Sequence, residues 1–84
     1  MYKVVWKEET KKDLAKIDHI MVKKIAKKVE TDLAQDPFNR GELLSYDWKG
    51  FYRYRFSDYR VIYQIQEKKL VILVVKVGHR REVY

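Results

Sequence analysis

The sequence predicts an α+β domain in two layers: an N-terminal strand, a two-helix hairpin, then a three-stranded antiparallel meander, with the helices packed on one face of a four-stranded sheet. Three observations predict it. The first third of the chain passes from strand-like alternation to helical spacing of its apolar residues. The last half holds three β-branched or aromatic runs. Short turn-like pairs, Ser57-Asp58 and Glu67-Lys68, separate those runs. No repeat, low-complexity tract or Gly/Ser linker interrupts the 84 residues, so the whole of 1–84 reads as one domain.

Each element has its own signal. "MYKVVWK" alternates Tyr2, Val4 and Trp6 with Lys3, Val5 and Lys7, the period of a half-buried strand. "KEETKKDLAKI" then turns helical, with Leu14 and Ile17 three apart, and Asp18 can cap a second helix. In that helix Met21/Val22, Ile25/Ala26, Val29 and Leu33 form one apolar stripe, opposite Lys23, Lys24, Lys27 and Lys28. Asp36-Pro37 stops it, because proline disfavours a helical conformation in the residue before it. A loop containing Gly41 follows, then strands at 51–56, 59–66 and 70–77, with Gly78 ending the last.

The hairpin "FYRYRFSDYRVIY" carries the functional signal. If Ser57-Asp58 is a two-residue turn, Arg55 faces Arg60 and Phe56 faces Tyr59. Alternation then gathers Arg53, Arg55 and Arg60 on one sheet face, and Tyr52, Tyr54, Phe56, Tyr59, Val61 and Tyr63 on the other. The ring-bearing face is expected to be core, packed on the helical stripe. Like charges opposite one another on paired strands destabilise a sheet unless an anion or nearby acidic side chains offset them, so the arginine face suggests a bound anion, against the plainer reading of a solvated surface. Continued through the next turn, the same parity expects Val71, Leu73, Val75, Val77 and His79 on the arginine side.

Composition narrows the partners. Nineteen Lys and Arg against twelve Asp and Glu give a net charge of +7 at pH 7, a field that attracts polyanions, although a lysine-rich solubilising surface has the same balance. The chain has no cysteine, which excludes disulfides and thiolate metal sites. No apolar run approaches the roughly 20 residues that cross a bilayer, and the charged N-terminus does not read as a signal peptide. The expectation is a cytoplasmic protein with no membrane partner.

Several guanidiniums with a histidine and a tyrosine suit a phosphodiester. Metal-free RNA cleavage uses the 2′-hydroxyl as nucleophile and needs a base, an acid and cations where charge builds on phosphorus. His79 is the histidine placed nearby and a candidate acid or base; Tyr84 offers an acid or a stacking ring. Lys49, Arg81 and Trp48 are candidate RNA contacts, although Trp48 just ahead of a strand also reads as a lid on the core. His19, beside the Asp18 cap, reads as an ordinary surface residue, and Gly50 as a strand-entry residue. No metal-ligand spacing, phosphate loop or serine nucleophile context is present, so no cofactor is expected.

"DWKGFYRYRFSDYRVIYQI" followed by "VILVVKVGHRREVY" resembles the C-terminal half of the RelE/ParE toxin superfamily, and most of all its RelE branch of ribosome-dependent messenger-RNA endonucleases. The resemblance extends to the whole chain in element order. It implies that Arg53, Arg55, Arg60, Arg80 and Tyr84 grip the scissile phosphate and activate the 2′-hydroxyl in the ribosomal A site. The implied products are a 2′,3′-cyclic phosphate and a 5′-hydroxyl. It implies a cognate antitoxin that covers this surface, and operator DNA bound only through the antitoxin complex. Arg53 and Arg55 stand where the best-known member usually has lysines, and arginine does not readily serve as a base. The spacer from Arg80 to Tyr84 is also shorter. A ParE-like inhibitor of DNA gyrase, acting by binding alone, is the alternative.

Overall fold

In the computed structural model, which describes residues 1–83, a strand β1 (Lys3–Trp6) leads into helices α1 (Thr10–Ala15) and α2 (His19–Thr31). A short helix α3 (Pro37–Arg40), a two-residue strand β2 (Glu42–Leu43), and strands β3 (Tyr52–Phe56), β4 (Tyr59–Gln66) and β5 (Val71–His79) follow. The sheet order is β1-β5-β4-β3-β2, with β1 parallel to β5 and the other neighbours antiparallel.

The predicted layers are present. Ile25 and Val29 of α2 are fully buried against Tyr54, Val61, Tyr63, Ile72, Val74 and Val77, with Leu14, Ile17, Trp6, Phe56 and Tyr59 around them. The Asp18 carboxylate accepts hydrogen bonds from the N–H groups of Ile20 (3.1 Å) and Met21 (3.4 Å), a cap worth about 1 kcal/mol. Where β1 ends, α1 takes over the edge of β5: the Asp13 carboxylate accepts the Val77 N–H at 3.0 Å. A backbone donor that would otherwise lack a strand partner is thereby satisfied.

Three expectations need correction. The sheet has five strands, because Glu42↔Arg53 and Leu43↔Tyr52 pair antiparallel; two residues are too few to show alternation. Pro37 starts a helix, α3, as its first residue, where its missing N–H costs nothing. The last strand changes parity. Tyr63 pairs with Val74 and Ile62 with Lys76, so one extra residue of β5 is accommodated in a bulge. Gln64↔Leu73 and Gln66↔Val71 keep the expected side, but Val77 pairs with Val61 and His79 with Tyr59. Val77 therefore lies in the helix-side core, and His79 stands beside the Tyr59 ring with centroids 5.6 Å apart.

Candidate functional site: an arginine-lined sheet face

The turn that builds the site is the two-residue one. Phe56↔Tyr59 closes the hairpin and Arg55↔Arg60 pair directly. Ser57 has φ 54° while Asp58 does not reach positive φ, the sign pattern of a type II′ turn, which matches the twist of paired strands. Parity then puts Arg53, Arg55 and Arg60 on the face away from the helices, as the sequence predicts.

Strand β2 brings an acid to this face. The Glu42 carboxylate oxygen Oε1 lies 2.9 Å from Arg55 Nε and 3.4 Å from Arg53 Nη2, so two guanidiniums converge on one anionic oxygen. Arg53 is the better packed, with its side chain 15% exposed against 57% for Arg55. Arg60 donates to the carbonyls of Ser57 (3.1 Å) and Tyr59 (2.9 Å). Its pKa is pushed down, first by burial and then by the charges of Arg55, Arg53 and Arg80. The charges of three other guanidiniums thus reach Arg60. Arg80 is held at the turn: its N–H donates to the Asp58 carbonyl at 2.7 Å, and its Nε lies 3.8 Å from the Asp58 carboxylate.

Beneath the cations is a second, small core. Leu44, Ile62 and Val83 are buried together, with Trp48, Phe51 and Val75 packed around them. Trp48 meets Phe51 edge to face at 5.5 Å, so it is the lid of this cluster. The segment after β5 curls back in a tight turn, with the N–H groups of Glu82 and Val83 donating to the His79 carbonyl at 2.8 and 3.1 Å. Val83 then sits on Gly78, where a Cβ would fall 2.6 Å from Val83 Cγ2.

The remaining predicted residues divide. Lys49 is exposed after the turn Tyr46–Trp48, and Arg81 is exposed after β5. The His79 Nδ1 accepts the Arg81 N–H at 3.2 Å. This ring fixes the terminal turn from the helix side and does not face the arginines. Tyr84 lies outside the described residues. Glu42 and Asp58 escaped sequence reasoning as site residues. Glu42 lies 11 positions before Arg53, and only the β2–β3 pairing brings them together.

Chemically, the face can hold a phosphate: fixed guanidiniums stabilise negative charge on phosphoryl oxygens, and a carboxylate among them can accept a proton. Residues 4–84 match the family described as ParE toxin of type II toxin-antitoxin system, parDE. Toxin RelG of Mycobacterium tuberculosis is 24% identical over 83 residues, covering 99% of this chain and 95% of that protein. The fold is similar to the RelBE2 toxin-antitoxin complex from Mycobacterium tuberculosis, at TM-score 0.89 and 24% identity over 94% of this chain and 98% of that one. It is also similar to the isolated E. coli RelE toxin, at TM-score 0.75 and 23% identity over 94% of this chain and 84% of that one.

Proposed function

This chain belongs to the ParE toxin family of type II toxin-antitoxin systems, and from that premise we propose that it cuts messenger RNA on the ribosome, with the arginine face holding the scissile phosphate. The observation that carries the reading is the placement of Arg53, Arg55 and Arg60 on one side of the sheet, with Glu42 joined to Arg53 and Arg55 and with Arg80 held to Asp58 at the hairpin turn. Inhibition by binding needs no such constellation, whereas phosphodiester cleavage needs charge stabilised where it develops.

In this reading the ribose 2′-oxygen attacks phosphorus and loses its proton. The 5′-oxygen leaves and gains one, giving a 2′,3′-cyclic phosphate and a 5′-hydroxyl. Arginine cannot serve readily as the base, and His79 faces the other way with Nδ1 engaged. Glu42, held by Arg53 and Arg55, is the proton acceptor the geometry offers. Arg60 and Arg80 stabilise the pentacoordinate phosphorane. Tyr84 is the proposed stacking ring or acid, and Lys49 and Arg81 the flanking cations. The protein partner is a cognate antitoxin, a reading supported by solved relatives that are toxin-antitoxin complexes. Operator DNA is reached only through that complex.

Primer extension on a message in a translating extract tests this. Breaks within the translated message, absent from free RNA, are expected. The family's parDE description favours one other reading, a gyrase inhibitor without nuclease activity. Intact message together with linearised, gyrase-trapped plasmid would establish that reading instead.

A further inference from the structure

The outward side of α2 repeats, with lysines, the arrangement that the arginine face makes with guanidiniums. Lys23, Lys24, Lys27 and Lys28 are all exposed, and the ion pairs among the described residues include none of them. Lys23–Lys27 and Lys24–Lys28 stand at i,i+4, where like charges destabilise a helix. Lys24, Lys27, Lys28 and Thr31 also line a groove whose remaining wall is the Phe56 ring. The Thr31 hydroxyl donates to the Lys27 carbonyl at 2.6 Å. A cationic groove beside an aromatic ring is the pattern that binds single-stranded nucleic acid, with phosphates on the lysines and a base on the ring.

Its position matters. Phe56 is the residue next to Arg55 and the last before the Ser57-Asp58 turn, so the groove begins one residue from the arginine face and on the opposite side of the sheet. An RNA strand leaving the arginines around the hairpin tip meets Phe56 and then the lysines. We propose that Lys24, Lys27, Lys28 and Phe56 form a second contact for single-stranded RNA, gripping the message beside the scissile phosphate. The proposal rests on the messenger-RNA reading above and adds a binding site to it. Acidic protein is the less favoured occupant, since it makes no use of the ring.

The test is fluorescence anisotropy of the full chain with labelled single-stranded RNA of about 4 and about 12 nucleotides, spanning much of the usual range of site sizes. The variant is Lys24→Gln/Lys27→Gln/Lys28→Gln, three exposed changes that leave the core untouched. Expected is a tenfold or greater loss of affinity for the long RNA and little change for the short one. The slope of log affinity against log salt should fall by about 2, at roughly 0.7 per lost phosphate contact. Phe56→Leu should weaken the long RNA about fivefold or more through lost stacking. Unchanged affinity and slope in the triple variant overturns the proposal, as does displacement of RNA by polyglutamate as readily as by unlabelled RNA. Cleavage by Arg60→Ala, followed in parallel, judges the nuclease reading separately: undiminished cutting there defeats that reading whatever the lysines do.

Discussion

Strands β3 and β4 contribute to both faces of the sheet, and the two faces are filled differently. Toward the helices, Tyr54, Val61 and Tyr63 enter one continuous core with Ile25, Val29, Ile72 and Val74. Away from them, Arg53, Arg55 and Arg60 share the face with a small cluster that among the described residues buries Leu44, Ile62 and Val83. Full burial of each large apolar side chain contributes about 1.5–3 kcal/mol, while a like-charge pair across strands costs about 0.2–1 kcal/mol. The helix side can therefore carry a repulsive surface on its reverse. Core packing and cationic charge are separated by the alternation of a pleated strand, residue by residue.

That separation can be broken from either side. Ile25→Ala should cost about 2–5 kcal/mol of unfolding free energy, measured by urea denaturation, while the folded fraction keeps its specific activity. Arg60→Ala should do the reverse: cleavage falls about 10²–10³-fold, as when one charge-stabilising donor is removed, and the melting temperature stays within a degree or two or rises. A large fall in both quantities from either substitution would show that the faces are coupled.

Smaller effects sharpen the comparison. Glu42→Gln should slow single-turnover cleavage about 10²-fold with little change in melting temperature; undiminished cleavage would take the base role from Glu42. On the core side, burial raises the pKa of both Tyr54 and Tyr63 above the ordinary 10.0, helped at Tyr54 by its hydrogen bond to Asp32. The folded protein then keeps protons that the unfolded chain releases. Their contribution is full below pH 10 and is lost as pH rises above it. Tyr54→Phe/Tyr63→Phe should flatten that alkaline decline, seen in melts from about pH 8 to 11. Smallest of all, Tyr54→Phe alone, which loses the 2.6 Å bond to Asp32, should cost about 1 kcal/mol near neutrality.

Much of this was legible in the sequence. Alternation and the Ser57-Asp58 turn were enough to assign Arg53, Arg55 and Arg60 to one face and the rings to the other. Period is a local property, and local properties survive folding. What the sequence hid is what a single residue can alter at a distance. The bulge beside Ile62 and Tyr63 leaves no composition signature, yet it moves Val77 and His79 to the helix side. Glu42 reaches the arginines through a two-residue strand, and Val83 a core position through a turn after the last strand. Pro37, read as an end to the second helix, also begins a third because its fixed φ suits a first turn.

Gly41 has a consequence for how this site can vary. A methyl group there would fall 2.0 Å from the Tyr63 hydroxyl oxygen, which donates to the Pro37 carbonyl at 2.6 Å. The next residue is Glu42. The loop that delivers the carboxylate to the arginines is thus seated directly on the deepest tyrosine of the opposite layer. Any larger side chain at position 41 must shift that tyrosine or lift the loop, so mutational drift at this one position is felt by the interior and the working surface together.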